Sequence, residues 1–169
     1  MCQGFNRHCL KEKKWKLFVA AGEEVYMSFN VLIVDDSNAM RAVIKRIIVM
    51  SGFRVDKCLE AGHGGEALQV LADEWVDAII SDINMPEMNG LELLGRLKMD
   101  KLYKEIPVIM ISTEGSDERI REAFNNGARG FIKKPFFPEE LKRILYEVIG
   151  ADEDGGYGED KEDADGLDF

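Results

Sequence analysis

At 169 residues the chain is long enough for one domain with a full core, and its middle section is too acidic for non-specific nucleic-acid binding. The net charge of −10 divides into +2 over residues 1–27, −4 over the middle and −8 over residues 151–169. No window approaches the run of about 18 apolar residues that a membrane span needs, only five apolar residues follow the basic stretch 11–16 where a secretion signal needs more, and three cysteines suit a reducing cytoplasm better than a disulfide scaffold.

Residues 1–28 read as a lead without strong periodicity. Cys2, His8 and Cys9 within it match no zinc spacing. Met27 stands just before the first strand, so residues 1–26 are open to being an upstream start chosen in error; a native peptide from that stretch would refute this.

The first strand is expected near 30–35, where Val31-Leu32-Ile33-Val34 leads into Asp35-Asp36. A helix over 37–51 follows, with Ser37 as its N-cap and Met40, Val43, Ile44 and Ile47 as its apolar stripe. A strand near 54–59 carries Cys58 as a small core residue. It leads through a surface loop containing His63 to a helix over 64–74. The strand at 76–81 delivers Asp82, with Met85 and Met88 expected at the rim of the pocket beyond it. A helix over 89–99 and a strand at 107–112, ending on Ser112, come next. Then follow a helix over 116–126, a strand at 130–133 before Lys134-Pro135, and a helix over 138–149 opening on Pro138-Glu139-Glu140. Gly52, Gly127 and Gly150 stand where helix C-terminal glycines stand. Residues 151–169, with nine acids and four glycines, read as a solvated, disordered tail, or as a ligand for a basic partner. The expected organisation is therefore a lead over 1–28, a globular domain over 29–150 and an acidic tail over 151–169.

Five strands alternating with five helices predict a parallel α/β sheet with helices on both faces. In such a doubly wound sheet the carboxyl ends of the strands share one edge, where ligands bind. Asp35, Asp36, Asp82, Ser112 and Lys134 all sit at strand ends, so residues spread over about a hundred positions meet there. Three carboxylates in one pocket repel each other unless a proton or a cation relieves them. Hard oxygen ligands with room for water suit Mg²⁺, or Mn²⁺. A carboxylate in this setting can act as a nucleophile toward phosphorus, with the lysine stabilising the charged group in transfer and the Ser112 hydroxyl donating to a phosphoryl oxygen.

Four motifs in order make the resemblance plain: Val-Asp-Asp-Ser at 34–37, Ser-Asp-Ile-Asn-Met-Pro at 81–86 with Gly90, Pro-Val-Ile-Met-Ile-Ser at 107–112, and Lys-Lys-Pro-Phe at 133–136. Over roughly 29–150 the chain resembles the receiver domain of two-component response regulators, most of all the single-domain chemotaxis type. The resemblance implies a flavodoxin-like sheet of strand order 2-1-3-4-5. It implies that Asp82 accepts a phosphoryl group from a histidine kinase. Asp36 binds Mg²⁺ directly, Asp35 directly or through water, and the Asn84 backbone carbonyl completes the protein ligands. Lys134 pairs with Asp82 or its phosphate, and a cis bond joins it to Pro135. Ser112 and Phe131 report phosphorylation to the surface of the fourth helix, fifth strand and fifth helix, where an unidentified target protein binds. Such a domain catalyses at most its own phosphorylation and dephosphorylation, and is a monomer or a phosphorylation-dependent dimer in the cytoplasm.

Two positions depart from the usual pattern. Thr113 replaces a smaller Ala or Gly after the switch hydroxyl, which predicts slower self-dephosphorylation. Phe131 replaces a frequent Tyr. Asn84, Thr113 and Glu114 occupy positions that tune phosphoryl lifetime in the family. Each residue also has a plainer reading: Asp35 and Asp36 as helix N-terminal charges, Phe131 as a static core ring. Two other functions compete: a metal-dependent phosphohydrolase with an aspartyl nucleophile, and a degenerate receiver acting only by protein binding. The phosphohydrolase class places an Asp-x-Asp pair at the end of its first strand, whereas Asp35 and Asp36 here are adjacent.

Overall fold

The computed structural model describes residues 28–151. Five strands form one parallel sheet in the order β2-β1-β3-β4-β5, as expected for the flavodoxin-like class. They are β1 (Phe29–Val34), β2 (Val55–Ala61), β3 (Ala78–Asp82), β4 (Val108–Ser112) and β5 (Gly130–Lys133), alternating with α1 (Asn38–Met50), α2 (Gly64–Asp73), α3 (Gly90–Met99), α4 (Asp117–Asn125) and α5 (Pro138–Ile149). The expectations made for residues 1–27 and 152–169 lie outside the described residues.

Successive strand residues point to opposite faces, and both faces of the sheet are covered, so β1, β3 and β4 at its centre are mostly apolar, whereas the edge strand β2 carries Asp56, Lys57 and Glu60. Val31 and Ile33 of β1, with Ile80, Ile109, Ile111 and Ile132, pack against Ile44 and Ile48 of α1 and Leu141 and Leu145 of α5. Leu32 and Val34, with Ile79, Val108 and Met110, pack on the other side against α2, α3 and α4 through Ala67, Leu71, Leu93, Leu97 and Ala123. Each fully buried aliphatic side chain contributes about 1.5–3 kcal/mol from apolar area removed from water. A ring cluster of Phe29, Phe53 and Tyr146 closes the first core near the start of β1.

Helix starts follow their caps. The Ser37 hydroxyl accepts from the Met40 amide, the Ser116 hydroxyl accepts from Arg119, and Asn89 and Glu92 form a reciprocal capping box. Pro138 opens α5, and Gly150, at φ +75°, ends it in the left-handed conformation.

Several local expectations change. Val43 faces solvent, with 48% of its surface exposed; the core-facing stripe of α1 is buried Ile44 and Ile48 flanked by partly buried Met40 and Ile47. The core below α1 takes the row at i, i+4, i+7 and i+8, leaving the i+3 position outside it. Strand β2 continues to Ala61 because the parallel pairing with β1 runs as far as Val34. Strand β3 starts later than expected and includes Asp82. His63 is not merely a loop residue: its Nδ1 accepts the Gly65 and Glu66 amides and caps α2, while Nε2 lies 3.2 Å from Glu87. Met85 is buried in the second core instead of standing at a pocket rim. Cys58 is partly buried against the first core, which pushes its thiol pKa up.

Candidate active site at the carboxyl edge

Strand register places the chemistry. Val34 pairs with Ser81, Asp82 with Ile111, and Ser112 with Lys133. The residues at or just beyond these strand ends therefore share one edge of the sheet. The Lys134 amide donates to the Ser112 carbonyl at 2.8 Å, which carries the β5 chain one step past the ladder. The following Lys134–Pro135 bond is cis.

Three charged side chains meet there. Lys134 Nζ donates to Asp82 Oδ1 at 3.1 Å and to Asp35 Oδ2 at 3.2 Å. The side chains of Lys134, Asp82 and Asp35 are 14%, 12% and 3% exposed, so this trio is largely removed from water. Burial is the largest influence on Asp82 and raises its carboxyl pKa; Lys134 opposes that, while Asp35 and Asp36 add to it. Burial acts on Lys134 in the lowering direction, but attraction and hydrogen bonds from Asp82 and Asp35 together outweigh it, and the net shift is upward.

The turn after β1 is tied down from several directions. Asp35 Oδ1 accepts the Ser37 amide at 2.9 Å, and the Asp35 amide donates to the Ala61 carbonyl at 3.1 Å. Asp36 is exposed at the mouth of the site. Beyond β3 the chain turns sharply. The Gly90 amide donates to the Ile83 carbonyl at 2.9 Å. A Cβ at Gly90 would collide with the Asp82 carbonyl oxygen and stand 2.7 Å from Met110 Cε, so α3 can start there only on a glycine.

Ser112 is fully buried, and its hydroxyl accepts the Glu114 amide at 3.1 Å. Its oxygen is thus turned into its own loop. Thr113 and Asn84 are exposed. Glu114, expected to tune phosphoryl lifetime, lies 3.7 Å from Arg119 on α4. Phe131 is partly buried against the second core. The structure thus brings Asp35, Asp82 and Lys134 into direct contact, places Ser112 on the adjacent strand, and leaves Asn84, Thr113 and Glu114 on the surrounding loops.

The residues fit a hard divalent cation. Three carboxylates and one ammonium leave a net charge of about −2 at the edge, and every free donor is an oxygen. Among the described residues no three acidic, histidine or cysteine side chains form a ready-made cage. A cation here would take the rest of its shell from backbone carbonyl and water, the habit of Mg²⁺ and not of zinc.

One contributor carries no local signal in the sequence. Arg41, in the first turn of α1, donates to the Asp35 carbonyl at 2.7 Å and to Glu60 Oε2 of β2 at 3.0 Å. Only the fold brings Arg41 and Glu60, 19 positions apart, together.

Residues 31–146 match the response regulator receiver domain model. The chain is 42% identical over 130 residues to a chemotaxis protein CheY homolog of Campylobacter jejuni, covering 76% of this chain and 98% of that protein. It is 43% identical over 124 residues to chemotaxis protein CheY1 of Helicobacter pylori, covering 73% and 98%. Among solved structures, chemotaxis protein CheY4 of Vibrio cholerae superposes with a TM-score of 0.65 at 37% identity, covering 72% and 99%.

Proposed function

The chain belongs to the response regulator receiver family, and it is a response regulator of the chemotaxis-protein kind in phosphorelay signalling; on that footing we propose that Asp82 is its phosphoryl acceptor. The observation that carries the assignment is the ammonium of Lys134 held between Asp82 and Asp35. Family members are signalling domains and not enzymes in the usual sense.

A carboxylate oxygen of Asp82 attacks the phosphorus of a phosphohistidine on a histidine kinase. The oxygen–phosphorus bond forms, the phosphorus–nitrogen bond breaks, and its electron pair stays on the imidazole. Lys134 keeps Asp82 ionised and oriented before transfer, then stabilises charge on the phosphoryl oxygens. Asp36 and Asp35, with Asp82 and the Asn84 carbonyl, would hold Mg²⁺, which family members bind in the active site. Bound there, it neutralises the excess acid and the incoming phosphoryl charge.

After transfer, the Ser112 hydroxyl leaves the Glu114 amide and donates to a phosphoryl oxygen. The space it vacates lets Phe131 move inward. The surface of α4, β5 and α5 then presents a different shape to its target protein. Residues 29–150 form this module in the cytoplasm, with the lead before it and the acidic tail after it.

Intact mass after incubation with acetyl phosphate and Mg²⁺ tests the assignment. A single phosphoryl adduct is expected, abolished by Asp82→Asn and by a chelator. If neither acetyl phosphate nor a phosphorylated histidine kinase forms an adduct, or if the adduct persists in Asp82→Asn, the assignment is wrong.

A further inference from the structure

We infer that Arg41 is a positioning residue for the metal-assisted phosphoryl site, setting the turn that carries Asp35 and Asp36. The inference rests on the Mg²⁺ reading proposed above. The Arg41 side chain is only 14% exposed. Its three guanidinium nitrogens serve three different acceptors: Nη1 the Asp35 carbonyl, Nε the Glu60 carboxylate, and Nη2 the Asn38 side-chain oxygen. The turn after β1 is thereby tied to its own helix through Asn38 and to strand β2 through Glu60. The planar fork of arginine can span such acceptors at once; a lysine ammonium at the same place is a single point. The Asp35 side chain, meanwhile, is fixed by the Ser37 amide and Lys134. Arg41 holds the backbone on which both acids are mounted.

Charge and geometry push in opposite directions here, which makes the role testable. A cation close to an acidic site repels Mg²⁺, so by charge alone removing Arg41 would tighten Mg²⁺ binding. Glu60 Oε2, 3.0 Å from Nε, offsets much of that charge. If Arg41 positions the acids, removing it loosens binding, and partners that orient metal ligands typically account for about 10–100-fold in metal affinity.

Isothermal titration calorimetry with Mg²⁺ on the full chain, Arg41→Ala, Arg41→Lys and Glu60→Gln decides the matter, with a thermal melt of each variant in chelator. Arg41→Ala and Arg41→Lys should both weaken Mg²⁺ binding about tenfold while still melting cooperatively, with Glu60→Gln within about threefold of the parent. Tighter or unchanged binding in Arg41→Ala, or full affinity in Arg41→Lys, overturns the positioning role even if the melting temperature falls. If the unaltered chain binds no Mg²⁺, the metal reading itself fails, and the Arg41 role fails with it.

Discussion

Replacing Lys134 with methionine keeps the side chain's reach and removes its charge, isolating what the ammonium does between two buried acids. Nζ stands 3.1 Å from Asp82 Oδ1 and 3.2 Å from Asp35 Oδ2. At an effective dielectric near 20, unit charges that close attract by about 5 kcal/mol per pair, before the cost of desolvating them. Removing one partner of a buried pair typically costs about 3–5 kcal/mol, because the other charge is left uncompensated. The slight exposure of this trio puts Lys134→Met at the low end, about 3 kcal/mol at about pH 7.5. The loss depends on pH through Asp82. Its folded pKa lies above the unfolded value, first through burial and then despite Lys134. The folded state therefore binds that proton more tightly, and stability falls as pH rises from the unfolded value through the folded one. Without Lys134 the folded value climbs further and the cost at neutral pH grows. Lys134 itself is charged throughout this range, since its raised value affects stability only above 10.5. Urea titrations without divalent ions, at about pH 7.5 and about pH 4.5, should show a gap between parent and variant that shrinks by at least about 1 kcal/mol in acid. An equal gap at both pH values, or no gap at about pH 7.5, would refute the argument.

Gly90→Ala drives a methyl group into the Asp82 carbonyl and toward Met110; a loss of about 2–4 kcal/mol is expected in urea titration, and a loss below about 0.5 kcal/mol would mean the β3–α3 turn yields easily. Ile44→Ala should cost about 3 kcal/mol and Val43→Ala under about 0.5 kcal/mol in the same assay, because adjacent residues of α1 face core and solvent. Thr113→Ala should shorten the life of the Asp82 phosphoryl group severalfold when adduct decay is followed by mass, since a smaller side chain opens the mouth of the site to water; an unchanged decay rate removes Thr113 from that role.

The site-bearing ends of β1, β3 and β4 were readable from the sequence because each is an apolar run giving way to polar residues, as at Ile111-Ser112. Strand β2, interrupted by Asp56, Lys57 and Glu60 and ending on Ala61, had no such stop and ran past its expected end. The parallel architecture followed from the alternation of those runs with helical stripes. The outward face of Val43 was not readable. Several apolar residues crowd α1, and only the placement of the sheet below decides which row is covered. His63 as a helix cap was hidden for another reason: histidine is an uncommon cap, and its function depends on Nδ1 meeting two amides in the folded loop. Arg41 and Glu60 lie on different elements with no shared motif, so their contact belongs to the tertiary structure alone.

The contacts of Lys134 also bear on how the chain folds. It reaches Asp82 across 52 positions and Asp35 across 99, so one ammonium closes two long loops at once. Closing such loops costs entropy before any contact is gained, and parallel strands brought together over these distances assemble slowly. A chain synthesised only as far as β4 already carries Asp35, Asp82 and Ser112 but lacks the cation between the acids. The residue just past β5, synthesised after every strand, therefore supplies the site's counter-charge. A divalent cation that bound only the native arrangement would stabilise all five strands together by mass action, and its apparent affinity would fall in step with the fraction of chains unfolded.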